Sequence, residues 1–338
     1  MSGRFRERIC RVGGEVMPDG PPKRDLIVLG EPLLALIPAA GVPFRRSDVL
    51  HRFTVGAEVN VAVALARAGL TASILGRVGD DLAGEAIRDD LRREGVDIRG
   101  LVTDPQAFTG ALLREVIPAG GSRVSYLRQG SAGSRIGRAD LDEVLIAEHR
   151  MAHVTGVTSA LSESARTAAL GFLQRARSHG LRTCVGLNYR ARLWTAEQAA
   201  PHLRALATAS DILIGERAEA AMVFGATATD ALLTRMAATG ASTVIVTDGV
   251  EPVHALIDGH PVTIPVPPAA AIDVVGAGDA FTGALLAGIV SGLPVRAALD
   301  QAIWAGGRAT TALGDWTGQP WGVGGRVIVP GAAGEVSR

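Results

Sequence analysis

Residues 273–281 have the sequence Asp-Val-Val-Gly-Ala-Gly-Asp-Ala-Phe, whose types and spacing are suited to holding an anion beside a base. The backbone N–H groups of Gly276, Ala277 and Gly278 can point into one concave site, and a helix that begins there adds its positive end. Asp279 would lie in the first helical turn, where its carboxylate is better suited to take a proton from a hydroxyl than to hold an anion. The alternative is a glycine turn that ends in a capping aspartate before a buried helix.

Two arginines add a second kind of chemistry. Arg128 and Arg190 each follow a predicted strand, and their planar, permanently charged side chains suit a carboxylate or a phosphate. Either one alone is typical of a surface or ion-paired arginine. Together they predict an anionic substrate.

The elements that position these residues are short apolar runs that alternate with helical patterns from Asp25 onwards. This alternation predicts a doubly wound α/β fold with a mostly parallel sheet, in which ligands bind at the carboxyl ends of the strands. A hairpin around the Gly120-Gly121 turn interrupts the alternation, so the segments of about 33–54 and 101–129 are expected to leave the main layer. Residues 1–24 and 331–338 are expected to form a flexible extension and a tail around one domain of residues 25–330.

Composition excludes several classes of partner. The 34 basic and 34 acidic residues give a net charge of zero, so no overall field favours nucleic acid or an anionic membrane. Cys10 and Cys184 are too far apart to indicate a disulfide framework, which fits a cytoplasmic protein. The longest charge-free apolar stretch, Ala280 to Val295, is shorter than a membrane span and contains three glycines and a proline.

The 273–281 segment resembles the signature of the ribokinase-like (PfkB) carbohydrate kinases, and the segment from Gly56 to Asn60 resembles their first signature. The resemblance implies a ribokinase-like sheet flanked by helices, with the segments outside the main layer forming a small β-sheet lid. It also implies that Asp279 is the catalytic base for ATP-dependent phosphorylation of a sugar hydroxyl, and that the amides of residues 276–278 form the anion hole.

Two further segments resemble those of 2-keto-3-deoxygluconate kinases, which bind a sugar acid. These are Tyr126 to Ala132 and Asn188-Tyr189-Arg190 with the following Leu193-Trp194. The resemblance therefore implies a substrate site made of Gly56, Asn60, Tyr126, Arg128 and Arg190. Gly186 stands where these kinases usually have an aspartate.

For the nucleotide, the resemblance implies contacts with Glu219, Thr247, Gly249, Gly276 and Gly278. Glu219 would organise Mg²⁺ indirectly, through water. ATP and Mg²⁺ are the implied cofactors, with a monovalent cation as a further candidate, and we expect a homodimer. A fructokinase, a ribokinase, a nucleoside kinase and a sugar-binding regulator that has lost catalysis remain alternatives.

Overall fold

The computed structural model describes residues 23–117 and 121–327. The expected tail, residues 331–338, and nearly all of the expected extension, residues 1–24, lie outside this part of the chain. The first strand begins at Arg24, one residue earlier than the predicted start of the domain.

Strands and helices alternate along the described residues. The strands are β1 Arg24–Leu29, β2 Leu33–Ile37, β3 His51–Val55, β4 Ala72–Gly79, β5 Asp97–Asp104, β6 Ala111–Ile117, β7 Gly121–Leu127, β8 His149–Thr155, β9 Arg182–Gly186, β10 Ile212–Glu216, β11 Thr243–Thr247, β12 Val253–Ile257, β13 His260–Ile264, β14 Gly322–Val323 and β15 Arg326–Val327. The helices are α1 Ala57–Arg67, α2 Leu82–Arg93, α3 Glu143–Ala147, α4 Gly156–Ala160, α5 Glu163–Ser178, α6 Ala196–Thr208, α7 Arg217–Phe224, α8 Thr229–Ala237, α9 Ala277–Val290 and α10 Val295–Ala309.

In the described residues the main sheet has nine strands in the order β13-β12-β11-β10-β9-β8-β1-β4-β5. All neighbours from β11 to β5 pair in parallel, and β12 and β13 form an antiparallel hairpin at one edge. One face packs against α1, α2, α9 and α10, and the other against α3 and α5 to α8. The predicted doubly wound α/β sheet is therefore confirmed.

The chain changes direction across the sheet between β1 and β8. From β1 it continues to β4 and β5 on one side, whereas β8 to β11 follow on the other side. Such a switch point leaves a crevice at the carboxyl ends of the two strands, where ligands bind in folds of this kind. Here these ends lead into Gly30 and Gly156.

A second sheet, which we call the lid sheet, has the strand order β3-β2-β6-β7. Its inner face is apolar, with Leu33, Ile37, Leu112 and Val116 buried. The small sheet expected from residues 33–54 and 101–129 is present, but with one correction. Residues 101–104 belong to β5 and pair with β4 in the main sheet, so this part of the lid begins only at Ala111. No helix in the described residues is long and apolar enough to span a membrane.

Candidate active site

The loop before α9 has the geometry of an anion site. Gly276 precedes the helix with a φ of 87°, and a Cβ atom there would lie 2.2 Å from the carbonyl oxygen of Asp315. Only glycine fits this position without a backbone shift. The Ala277 N–H donates a long bond of 3.4 Å to the Val274 carbonyl. The N–H groups of Gly276 and Gly278 have no acceptor in the described part of the chain and stand at the positive end of α9.

Asp279 lies in the first turn of α9, as predicted. Its Oδ2 atom accepts a hydrogen bond of 2.7 Å from the Asn60 side-chain amide of α1. Removal from water raises the pKa of the Asp279 carboxyl to about 7. The charges of Asp315 and Glu58 also raise this pKa, whereas the Asn60 bond and the charge of Arg190 oppose the shift. A carboxylate with a pKa near 7 is suited to accept a proton at neutral pH.

A buried ion network ties the lid sheet to this loop. Arg114 of β6 donates 2.6 Å bonds to Asp273 and to Asp315, and its side chain is almost fully buried. Asp315 also accepts a bond of 3.1 Å from Asn60, the residue that contacts Asp279. Arg114 was not among the site residues predicted from the sequence. The sequence does contain an indication of its role. Arg114 occupies an inward position of β6 between the buried Leu112 and Val116, and a charged residue there needs a buried partner.

A cavity of about 550 Å³ lies between the lid sheet and the carboxyl ends of the main strands. Nearly all predicted site residues line it, namely Gly56, Asn60, Tyr126, Arg128, Arg190, Glu219, Thr247, Gly276, Gly278 and Asp279. Ala277 and Gly249 are not part of its wall. The structure therefore brings the residues of the distant segments to one site, at the switch point of the sheet.

Arg128 lies in the cavity wall, but its charge is already compensated. Its Nε atom donates a bond of 2.8 Å to the Glu31 carboxylate, and Nη2 donates to the same oxygen. The hydroxyl of Ser131 donates to the other oxygen of Glu31. All three side chains are buried. We expected the Arg128 guanidinium to be available to a substrate carboxylate. This expectation is corrected, because the guanidinium already donates to Glu31, a residue that was not predicted from the sequence.

Arg190, in the loop after β9, has no ion pair in residues 23–117 and 121–327. Its positive charge lowers the pKa of both Asp279 and Glu219, and all three side chains line the same cavity. The other cavity arginines, Arg114 and Arg128, are paired with buried carboxylates. Arg190 is therefore the cation of the described cavity wall that is available to an anionic ligand.

The opposite side of the cavity carries the residues predicted to contact the nucleotide. Glu219 of α7 is half-buried and accepts the Glu216 N–H at 3.2 Å, and burial raises its pKa. Thr247 ends β11 at the cavity wall. Gly249 is exposed in the following turn, outside the cavity. The described residues contain no group of three or more His, Cys, Asp or Glu side chains that could hold a metal ion.

The sequence is similar to that of known carbohydrate kinases. Residues 29–321 match the family model described as pfkB family carbohydrate kinase. The chain is 33% identical to a 2-dehydro-3-deoxygluconokinase of Thermoproteus tenax, over 86% of this chain and 89% of that protein. It is 31% identical to a 2-dehydro-3-deoxygalactonokinase of Haloferax volcanii, over 86% of this chain and 90% of that protein.

A solved structure gives the same result. The crystal structure of a 2-dehydro-3-deoxygluconokinase from Thermotoga maritima aligns with a TM-score of 0.81 at 27% identity, over 87% of this chain and 94% of that one. The family model, which matches residues 29–321, spans both the main sheet and the lid sheet. The chain belongs to the pfkB family of carbohydrate kinases and is a phosphotransferase that acts on a sugar hydroxyl.

Proposed function

We propose that this kinase transfers the γ-phosphoryl group of ATP to the 6-hydroxyl of 2-keto-3-deoxygluconate, also called 2-dehydro-3-deoxygluconate. The observation that carries the proposal is the Arg190 guanidinium, which has no ion pair within the described residues and lines the same cavity as Asp279. A sugar acid offers a carboxylate to the arginine while it presents a hydroxyl to the base. The two relatives above, which act on acids of this class, support the choice.

The residues of the cavity fit the steps of the reaction. Asp279 takes the proton of the acceptor hydroxyl, and its raised pKa suits this role. The free amides of Gly276 and Gly278 hold the transferred phosphoryl group at the positive end of α9. Arg190 orients the carboxylate of the acid. Arg128 acts on the sugar through Glu31, since it fixes the position of this carboxylate.

The same cavity would hold ATP and Mg²⁺. A Cβ atom built on Gly278 would meet no other atom within 4 Å, which leaves room for phosphate against the backbone. Glu219 and Thr247 are the side chains that would face the nucleotide, with Glu219 holding Mg²⁺ through water. When bound, Mg²⁺ neutralises the charge of the phosphates. A monovalent cation is a further proposed cofactor, which assays with K⁺, Na⁺ or neither would test.

A neutral sugar is the second candidate acceptor. The observation in its favour is the Glu31 carboxylate, which cancels the charge of Arg128 and reduces the net positive charge of the cavity. A fructokinase, ribokinase or nucleoside kinase would use the same Asp279 and the same amides. Arg190 would then be dispensable for the acceptor.

The test is the rate of MgATP turnover with a panel of acceptors. We expect activity with 2-keto-3-deoxygluconate or its galactonate epimer, and about ten- to hundredfold lower kcat/KM with fructose, ribose and a nucleoside, the range for a lost hydrogen bond to a charged group. Turnover of a neutral sugar alone would contradict the assignment of the substrate and leave the kinase. Sugar binding without turnover of any acceptor would favour the regulator.

We also propose a cytoplasmic location. The support is Cys184, a buried cysteine without a disulfide partner in the described residues, as expected for a reducing compartment. Fractionation of cells that express the protein would test this, and recovery outside the cytoplasm would contradict it.

A further inference from the structure

His153 of β8 is a buried histidine whose hydrogen-bonding groups are unused. Its side chain is 1% exposed and lines the cavity, and neither ring nitrogen has a hydrogen-bond partner in the described part of the chain. His149, on the same strand, is the contrast. Its ring nitrogens lie 2.7 Å from the Leu145 carbonyl and 2.8 Å from the Ser73 hydroxyl. Since buried polar groups are normally paired, the exception at the cavity wall indicates a ligand contact.

Gly186 is a neighbour of the His153 ring in the cavity wall. Gly186 ends the neighbouring strand β9 and lies opposite Thr155, two residues beyond His153. A Cβ atom on Gly186 would lie 3.8 Å from the His153 ring and 3.4 Å from the Thr155 methyl group. A side chain at position 186 would therefore contact the imidazole. The glycine leaves a gap at this point of the wall.

The surroundings decide which chemical group fits this gap. Burial lowers the pKa of His153 to about 4, although the Cys184 backbone opposes the shift without reaching hydrogen-bond geometry. At neutral pH the ring is therefore uncharged, with one donor and one acceptor. Glu58 does not serve as its partner: Oε1 accepts the Thr155 N–H and two threonine hydroxyls, and neither carboxylate oxygen bonds the ring in the described residues.

An anion is unsuited to this position. The Glu58 carboxylate is bonded to Thr155, two residues beyond His153 on the same strand. The neighbouring wall residues Thr155 and Gly186 are uncharged. An anion buried against the uncharged imidazole would therefore lack a counter-ion. The carboxylate of a sugar acid therefore belongs at Arg190, and an uncharged oxygen belongs at His153.

We propose that His153 and Gly186 form a subsite that hydrogen-bonds one uncharged oxygen, a hydroxyl or a carbonyl, of the sugar acceptor. The subsite deepens the proposed function and rests on it only in placing the acceptor in this cavity. His153 thereby contributes to the selectivity for the sugar, while Arg190 binds the carboxylate of the sugar acid.

The test compares His153→Leu and His153→Gln with the wild type, on the acceptor of the panel that the wild type uses best. We expect His153→Leu to lower kcat/KM for the acceptor roughly three- to tenfold, the value of one net hydrogen bond, with KM for MgATP unchanged. His153→Gln keeps a donor and an acceptor and should recover part of the loss. The Tm of His153→Leu should not fall, because no hydrogen bond within the protein is lost.

His149→Leu is the matched control. It breaks two hydrogen bonds on the same strand, so its Tm should fall while the kinetic constants for the acceptor stay at wild-type values. If His153→Leu instead loses stability and keeps the wild-type kcat/KM, the subsite is wrong. Failure of the wild type to use any keto-deoxy acid would contradict the proposed substrate. It would not contradict the subsite, because kcat/KM of the variants is compared on whichever acceptor the wild type phosphorylates best.

Discussion

Arg128 and Arg190 carry the same charge and line the same cavity, but their surroundings give them different roles. Arg128 holds the buried Glu31 carboxylate, whereas Arg190 is exposed and lowers the pKa of Asp279. The sequence could not distinguish the two arginines, because Glu31 is 97 residues away from Arg128 along the chain. Asp279 and the flanking glycines were predictable, because a short contiguous segment contains their whole geometry.

Replacing Arg190 by glutamine tests its role. We expect KM for the sugar acid to rise about ten- to hundredfold, the range for a hydrogen bond to a charged group, with little change in KM for MgATP. The acid limb of the pH profile should also move to higher pH, because Arg190 lowers the pKa of Asp279. Initial-rate kinetics at several pH values would measure both effects.

Arg182→Gln is the matched control, since Arg182 lies at the opposite end of β9 and should leave both constants unchanged. A rise in KM for MgATP with an unaltered KM for the sugar acid would contradict the proposed contact with the acid. It would indicate that Arg190 binds the nucleotide.

At the scale of elements, Arg114 connects the lid strand β6 with the two loops around α9 and α10. Asp273 precedes α9 and Asp315 follows α10, and Asp315 reaches Asp279 through Asn60. The sequence predicted the lid strands from their hairpin, but not this link, because the partners are 159 and 201 residues from Arg114. The lid sheet is thus linked to the base through the side chains of Arg114, Asp315 and Asn60.

The variant Arg114→Met would leave two buried carboxylates without their cation. We expect a loss of about 3–5 kcal/mol in the free energy of unfolding, the usual cost of breaking a buried ion pair. Equilibrium unfolding in urea would measure it. Arg114→Lys keeps the charge and should lose less.

Arg123→Met provides the control for Arg114, because Arg123 is exposed on the lid strand β7 and should change stability by no more than about 0.5 kcal/mol. Equal stabilities of Arg114→Met and the wild type would rule out a structural role for the network.

At the scale of the whole molecule, the alternation of apolar strands and helices was enough to predict a doubly wound sheet. It was not enough for the strand order, since the switch between β1 and β8 depends on pairing between segments more than 100 residues apart. The same limit explains why residues 101–104 were assigned to the lid sheet. Local pattern identifies these residues as a strand, but only pairing with β4 assigns the sheet.

A homodimer remains a prediction of this architecture. Within the described residues β7 is an edge strand of the lid sheet, and it carries the exposed Tyr126 and Leu127. Exposed edges and apolar side chains favour pairing with a second copy. Light scattering should therefore give twice the mass of one chain, and Leu127→Glu should shift the population to monomer. Val144→Glu, an exposed site on α3, should remain dimeric, and a monomeric wild type would refute the prediction.

The most direct test of the whole account is kcat/KM for 2-keto-3-deoxygluconate as a function of pH, at saturating MgATP, for the wild type and Asp279→Asn. Asp279 must be deprotonated to accept the proton, and its pKa is about 7. We therefore expect kcat/KM to fall about tenfold per pH unit below 7 and to level off above it. Asp279→Asn should be about 10²- to 10⁴-fold slower and lack this limb. Near-normal turnover by Asp279→Asn would contradict the assignment of Asp279 as the base.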